Sequence, residues 1–107
     1  MKTFCDENGY FHIVYKTTII KTGQYYIGKH STKIIEDGYF GSGVIISNYI
    51  AKHGVIGLKR EILILASNKK LLTYYETKLL FQYEVLENPD KWFNDNIEGR
   101  YFRKDFT

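Results

Sequence analysis

Residues 11–32 of this chain, FHIVYKTTIIKTGQYYIGKHST, set its architecture. Residues 11–20 are rich in β-branched and aromatic side chains, which favour a strand because they pack well on a pleated surface. Thr22 and Gly23 mark a turn, and residues 25–28 form a second short strand. The stretch therefore predicts an antiparallel β-hairpin.

The residues after this hairpin predict a loop and then a short helix. Three glycines interrupt any regular element over residues 36–43. Ser42 is expected to cap a helix that runs to about His53, with Gly54 ending it in the left-handed conformation. Helical spacing predicts one buried stripe on this helix, formed by Ile45, Ile46, Tyr49, Ile50 and His53.

A further strand and a longer helix complete the pattern. Residues 58–65 are typical of a strand with Leu58, Ile62 and Ile64 on one side. A helix is then predicted over about residues 69–87, with an apolar stripe of Leu72, Tyr75, Leu79, Tyr83 and Leu86. This order of elements predicts an α+β fold, in which a small three-stranded antiparallel sheet is flanked by helices.

Size and composition indicate a single domain over residues 1–107. The chain has one proline and no internal repeat, and its hydrophobic content of 44% is ordinary for a globular protein. Residues 90–107 show no clear period. We therefore expect a core over about residues 11–99 and a C-terminal tail over residues 100–107.

Charge and cysteine content limit which partners and which cellular compartment are expected. The net charge of +3 permits a DNA partner without requiring one. The apolar runs are far shorter than the ~20 residues of a membrane helix, so no membrane partner is expected. No signal peptide is visible, and the single cysteine, Cys5, cannot form an internal disulfide. The simplest interpretation is a cytoplasmic protein.

Two tyrosines on the predicted hairpin are candidates for chemistry. A turn near Thr22 would place Tyr15 beside Tyr26, so both phenols could face one pocket, with Lys29 and His30 following directly. Lysine supplies positive charge, and histidine is a common proton donor and acceptor. The alternative is that both tyrosines are ordinary cross-strand aromatic residues of a hairpin.

Glu76 is the second candidate. It lies on the last helix four residues after Leu72 and three before Leu79, so its carboxylate falls at the edge of the buried stripe. Burying an unpaired carboxylate is costly, so such a residue usually has a partner. A divalent cation is one possible partner, and a structural salt bridge to Lys29 or Arg60 is the alternative.

Together these motifs resemble the GIY-YIG nuclease family, and in particular its phage-type branch. IVY at residues 13–15 and YIG at 26–28 stand where the family signature lies, with Ile13 and Val14 replacing its first glycine and isoleucine. The resemblance covers about residues 11–99. It extends over the successive motifs YIGKHST (26–32), DGYFGSG (37–43), KHG (52–54), REIL (60–63), YYETKLL (74–80) and WFNDN (92–96).

The resemblance implies a metal-dependent endonuclease that hydrolyses phosphodiester bonds of double-stranded DNA, site-specific or nicking in the manner of homing enzymes. Glu76 would hold one Mg²⁺ or Mn²⁺, and Tyr15 would accept the proton of the attacking water, activated by a nearby cation such as Lys29 and helped by Tyr26 or His30. The implied substrate-binding residues are Tyr39, Ser42, Lys52, Arg60 and Asn94. The setting would be a bacterial or phage-infected cell, with the protein a monomer or homodimer.

One departure from the family pattern bears on activity. Family members usually carry an arginine about ten residues after the second tyrosine, whereas this chain has no arginine before Arg60. Lys29 and His30 are the candidates to supply that positive charge. The rival interpretations are therefore a catalytically impaired domain that still binds DNA, and a protein-interaction module with a tyrosine-rich face.

Overall fold

The computed structural model describes residues 5–106. Over this range the elements, in chain order, are β1 (Phe11–Ile19), β2 (Gln24–Thr32), α1 (Val44–His53), β3 (Leu58–Ala66), α2 (Lys69–Gln82), β4 (Asn96–Ile97), β5 (Tyr101–Phe102) and a 3-10 helix (Arg103–Phe106). The predicted α+β fold with a three-stranded antiparallel sheet is confirmed.

The sheet has the strand order β2-β1-β3, with β1 in the centre and antiparallel to both neighbours. The turn between β1 and β2 contains Gly23 with φ of +74°, a conformation that glycine adopts at little cost. In the resulting register Tyr15 lies opposite Gly28, and Thr17 lies opposite Tyr26. The predicted hairpin is therefore present, and its second strand is longer than the sequence indicated.

An irregularity in β3 changes which side chains share a face of the sheet. Tyr15 pairs with Ile62, but the preceding residue, Val14, pairs with Ile64. The extra residue in β3 shifts the alternation by one position, so Ile62 and Ile64 lie on opposite faces. The prediction that Leu58, Ile62 and Ile64 share one side is therefore wrong for Ile64.

Helix α1 differs from its predicted form at its start and along its buried side. Its N-cap is Gly43, and no side chain caps it, so the predicted capping role of Ser42 is wrong. Of the predicted stripe only Ile46 is fully buried, and His53 is exposed. The reason is that α1 packs through a narrow strip, in which Ile46 meets Ile19 and Phe93. Gly54 ends the helix with φ of +73° and ψ of −162°, so it has a positive φ but not the predicted left-handed helical conformation.

Helix α2 starts at an Asn68 cap, whose side chain accepts a hydrogen bond from the Leu71 N–H. It ends at Gln82, five residues before the predicted end, because Glu84 adopts φ of +52°. The Val85 N–H then bonds back to the Leu80 carbonyl, and the Glu84 N–H to that of Phe81. These two bonds form a Schellman-type end without the usual glycine.

The segment after α2 returns along the free edge of β2. The Tyr25 N–H donates to the Lys91 carbonyl (2.7 Å), and the Phe93 N–H donates to the Tyr25 carbonyl (2.9 Å). Farther along the same edge, the Asn94 side chain bonds to both the N–H and the carbonyl of Ile27. Residues 91–94 therefore act as a short extra partner for β2.

Two apolar clusters stabilise this arrangement. The larger one lies between the sheet and α2, and its members include Val14, Ile27, Leu72 and Leu80. The smaller cluster lies under α1 on the other side of the sheet. Within residues 5–106, no helix has the length and apolar character needed to span a bilayer.

Candidate active site

Tyr15 and Tyr26 lie on one face of the hairpin, with ring centroids 6.3 Å apart. Gly28 makes this arrangement possible, because a Cβ at that position would lie 2.4 Å from the Tyr15 hydroxyl and 2.9 Å from the Tyr26 ring. The Tyr15 side chain thus crosses β2 at the point where β2 has no side chain. The predicted proximity of the two phenols is confirmed, but the neighbouring cavity is lined by Tyr26 and not by Tyr15.

The loop between β2 and α1 adds further groups to this face. The Tyr39 ring stacks on His30 with centroids 3.8 Å apart, and it meets the Tyr15 ring edge-on at 5.8 Å. His30 Nε2 lies 2.7 Å from Oδ2 of Asp37. We call Tyr15, Tyr26, His30, Asp37 and Tyr39 the aromatic cluster.

A cavity of about 660 Å³ opens beside Tyr26. Its walls come from β2, the first turn of α1, α2 and the segment that leads into β4. Of the predicted site residues, this cavity is lined by Tyr26, Lys29, Ser42, Glu76 and Asn94. Four separate parts of the sequence therefore meet around one space.

Glu76 lines this cavity, and its carboxyl has a raised pKa. Burial raises the pKa of its carboxyl to about 7, against the lowering effect of the Lys29 charge. Glu98 raises this pKa further through its own charge and a hydrogen bond between the two carboxyls. Within residues 5–106, no ion pair joins Glu76 to Lys29 or Arg60. The salt-bridge alternative for Glu76 therefore lacks the direct contact that it requires.

Lys29 is held by other partners. Its Nζ donates to the Thr73 hydroxyl (2.9 Å) and lies 3.8 Å from Oε1 of Glu98. Because side chains alternate along a strand, Lys29 is on the face of β2 opposite Tyr26 and Gly28. Its charge acts on the Glu76 and Glu98 carboxyls rather than on Tyr15.

Both phenols have a raised pKa and are protonated at neutral pH. Burial raises the pKa of Tyr15, and the neighbouring Tyr39 and Tyr26 raise it further. Burial also raises the pKa of Tyr26, with Glu76 and Tyr39 adding to the effect. Each tyrosine is therefore a neutral hydrogen-bonding group at neutral pH in the protein alone.

The family described as "Putative endonuclease segE, GIY-YIG domain" matches residues 37–97, which is more than half of the chain. The chain belongs to the GIY-YIG nuclease family. The match contains Glu76, Asn94 and the first turn of α1, and it begins after the two tyrosines of the hairpin.

Three relatives come from Enterobacteria phage T4. The chain is 38% identical to "Putative endonuclease segD" over 83% of its own length and 39% of the relative. It is 34% identical to "Putative endonuclease segB" over 88% of this chain and 47% of the relative. It is 49% identical to "Putative endonuclease segE" over 50% of this chain and 26% of the relative. The chain thus spans between about a quarter and a half of these relatives. No solved structure matches it significantly.

Two of the predicted substrate-binding residues have structural partners in this GIY-YIG domain. Asn94 is buried, and its amide oxygen and nitrogen bond to the Ile27 backbone at 3.0 and 2.8 Å. Arg60 donates to the carbonyls of Tyr39 and Ile35. Neither side chain is directed freely toward a substrate.

The other predicted substrate-binding residues occupy different places. Ser42 is exposed at the cavity, and Tyr39 belongs to the aromatic cluster. Lys52 is exposed in the last turn of α1 and does not line the cavity. The structure therefore does not bring these three side chains together.

Sequence reasoning missed two carboxylates of the site. Asp37 orients His30, and Glu98 reaches Glu76 from the turn between β4 and β5. Glu98 and Gly99 both have positive φ there, and Gly99 is a turn signal that could have located the turn. The contact between Glu98 and Glu76, by contrast, joins distant parts of the chain and has no local sequence signal.

Proposed function

We propose that this chain is a GIY-YIG nuclease domain that hydrolyses phosphodiester bonds of DNA with one divalent cation. The observation that carries the proposal is Glu76. It is a half-buried carboxyl with a raised pKa, and it shares a cavity with Tyr26 and Lys29 in a chain that belongs to a nuclease family. A carboxyl in that state is costly for the fold and suited to a cation.

The donor set fits Mg²⁺ or Mn²⁺. Within residues 5–106 there is no cluster of three acidic, histidine or cysteine side chains of the kind that would hold a metal by itself. Mg²⁺ commonly uses only one or two carboxylates, with waters and phosphate oxygens completing the shell. Glu76 would hold the ion, and Glu98 is the carboxylate next to it. When bound, the cation would stabilise negative charge on the phosphate and the leaving oxygen.

The protein groups then have separate tasks. Tyr26 lines the cavity as a neutral phenol, able to donate to a phosphate oxygen or to hold a water. Tyr15 stands behind it, held by Tyr39. For Tyr15 to accept the proton of the attacking water, binding of the substrate must first lower its pKa. Lys29 does not contact Tyr15, and its charge instead stabilises the ionised form of Glu76.

Double-stranded DNA is the proposed substrate, in the cytoplasm of a bacterial or phage-infected cell. Exposed basic side chains such as Lys52 would contact phosphates and supply affinity without sequence information. The protein would act as a monomer or homodimer, site-specific or nicking in the manner of homing enzymes.

A catalytically impaired DNA-binding domain is the second candidate. The observation that favours it is the absence of an arginine before Arg60, together with the engagement of Arg60 by loop carbonyls. No arginine of the described chain lines the cavity. Such a domain would bind DNA without cutting it.

Supercoiled plasmid distinguishes the two candidates. The purified chain is incubated with plasmid and Mg²⁺, with chelator, and in parallel as the variants Glu76→Gln and Lys78→Met. We expect metal-dependent nicked or linear product from the chain and from Lys78→Met, an exposed charge-loss control on α2. Glu76→Gln should produce none. Plasmid binding without cleavage by the wild-type chain in the presence of Mg²⁺ would favour the impaired domain.

A further inference from the structure

Arg60 is a mostly buried arginine that the proposed chemistry does not use. Its side chain is 9% exposed. One guanidinium nitrogen donates to the Tyr39 carbonyl (2.9 Å) and lies 3.5 Å from Oδ1 of Asp37. The other terminal nitrogen donates to the Ile35 carbonyl. All three partners belong to the loop between β2 and α1, so the guanidinium fastens that loop to β3.

This loop places two members of the aromatic cluster. Asp37 uses both carboxylate oxygens, because Oδ1 accepts from the Tyr39 N–H (3.1 Å) while Oδ2 faces Nε2 of His30 (2.7 Å). The Tyr39 ring, fixed between these contacts, stacks on His30 and meets the edge of Tyr15. A continuous path of contacts therefore runs from Arg60 through Asp37 and Tyr39 to Tyr15.

Strands β1 and β2 also hold this loop to the sheet. The buried Thr17 hydroxyl donates to the Phe40 carbonyl at 2.6 Å. It acts on the backbone one residue beyond Tyr39, while His30 and Thr32 of β2 bond to the Asp37 carboxylate. The Arg60 guanidinium adds the contacts that join Asp37 and the Ile35 and Tyr39 carbonyls to β3.

We infer that Arg60 is a positioning residue for the nuclease reaction, which acts by fixing this loop so that Tyr39 and His30 hold the Tyr15 hydroxyl in place. The inference rests on the proposed function, since it assigns Tyr15 to the reacting face. This positioning role replaces the phosphate contact predicted for Arg60. A guanidinium that donates to two loop carbonyls and is 9% exposed has little capacity to contact DNA phosphates. Small displacements of a reacting group cost large factors in rate.

The test uses Arg60→Met, Arg60→Lys and the surface control Lys78→Met. Three quantities are measured: the cleavage rate at saturating plasmid, the slope of DNA affinity against salt, and the ring resonances of His30 and Tyr39. We expect Arg60→Met to lower the cleavage rate by roughly 10- to 100-fold, on the scale of such displacements. Its salt slope should be unchanged while the stacked-ring resonances shift. Arg60→Lys should restore little, because a lysine cannot reproduce the planar fork of donors.

A double-mutant comparison covers the case in which Arg60→Met fails to fold. If Arg60 acts through Tyr39, then adding Arg60→Lys to Tyr39→Ala should slow cleavage no further than Tyr39→Ala alone. Full additivity of the two effects would overturn the inference. So would wild-type cleavage by Arg60→Met, or a salt slope reduced by about one phosphate contact with unchanged ring resonances. If the wild-type chain cuts nothing, the proposed function fails, while the salt slope and the ring resonances still decide whether Arg60 positions the loop.

Discussion

Asp37 and Glu76 are both carboxyl groups near the proposed site, and their surroundings have opposite effects on them. Burial alone would raise the pKa of Asp37, but hydrogen bonds from His30, Thr32 and the Tyr39 backbone outweigh it and lower the pKa to about 2. Burial also raises the pKa of Glu76, and there Lys29 only partly offsets it, leaving the pKa near 7. Every partner that Asp37 needs is present in the folded chain.

The two pKa shifts distinguish a loop whose carboxylate has its hydrogen-bond partners from a cavity whose carboxylate is not fully compensated. The loop at Asp37 is stabilised by its own hydrogen bonds, so its charge favours folding. The cavity at Glu76 is lined by three carboxyls and one lysine. The ionised form of Glu76 is disfavoured there, and the proposed cation would favour it. We therefore interpret the loop as a support and the cavity as the place where ligands bind.

The largest expected effect is on cleavage by Glu76→Gln. Removing the proposed cation ligand should lower the cleavage rate at least 100-fold, on the scale of several kcal/mol that a bound metal supplies. The measurement is single-turnover cleavage of plasmid, with binding of Mn²⁺ followed separately by calorimetry. A variant that lost cleavage but bound Mn²⁺ like the wild type would reassign the metal ligand.

Asn94→Ala should give the next largest effect, and on stability. It removes both bonds to Ile27 and leaves the N–H and carbonyl of a buried strand residue unpaired, which costs about 2–4 kcal/mol. Urea unfolding measures this loss. Asn94→Asp is the matched variant, since it keeps the acceptor and loses the donor, and it should cost less at low pH than at neutral pH.

The two carboxyls should give pH dependences of stability with opposite signs. The folded pKa of Glu76, about 7, lies above its ordinary 4.5, so the free energy of unfolding should fall as pH rises from about 4.5 to 7. Allowing for partial solvation, the loss is on the order of 1–3 kcal/mol. Chemical denaturation at several pH values measures it. Glu76→Gln should remove this slope, and added Mg²⁺ should reduce it.

The smallest effect belongs to Asp37→Asn. The folded pKa of Asp37 lies below its ordinary 3.8, so its stabilisation is present above that value and is lost as pH falls toward 2. The variant should be less stable by about 1 kcal/mol at neutral pH and equal to the wild type near pH 2. A stability gap that persisted unchanged to pH 2 would show that hydrogen bonding rather than charge is responsible.

The sequence was informative wherever a local rule applied. The turn at Gly23 and the two-residue period of strands were enough to predict that Tyr15 and Tyr26 lie together. Helical spacing likewise predicted that Glu76 faces the protein rather than solvent. In both cases the determining contacts lie within one hairpin or one helix.

Predictions failed where a distant contact or an unusual residue determined the structure. The end of α2 was missed because Glu84, not glycine, adopts the positive φ that closes it. The face of Ile64 was missed because a bulge in β3 is fixed by pairing with β1. The loop partners of Arg60 were missed because they lie more than twenty residues earlier in the chain.

Residues 91–94 also cover the free edge of β2, which could otherwise pair with another copy of the chain. An unpaired outer strand offers a row of backbone donors and acceptors to which another chain can add. Here the backbone of Tyr25 and of Ile27 is already occupied by that segment. A chain shortened at Pro89 would expose this row, and we expect it to aggregate by strand addition. Residues 91–94 therefore cover the free edge of β2, and two of them, Phe93 and Asn94, also line the cavity.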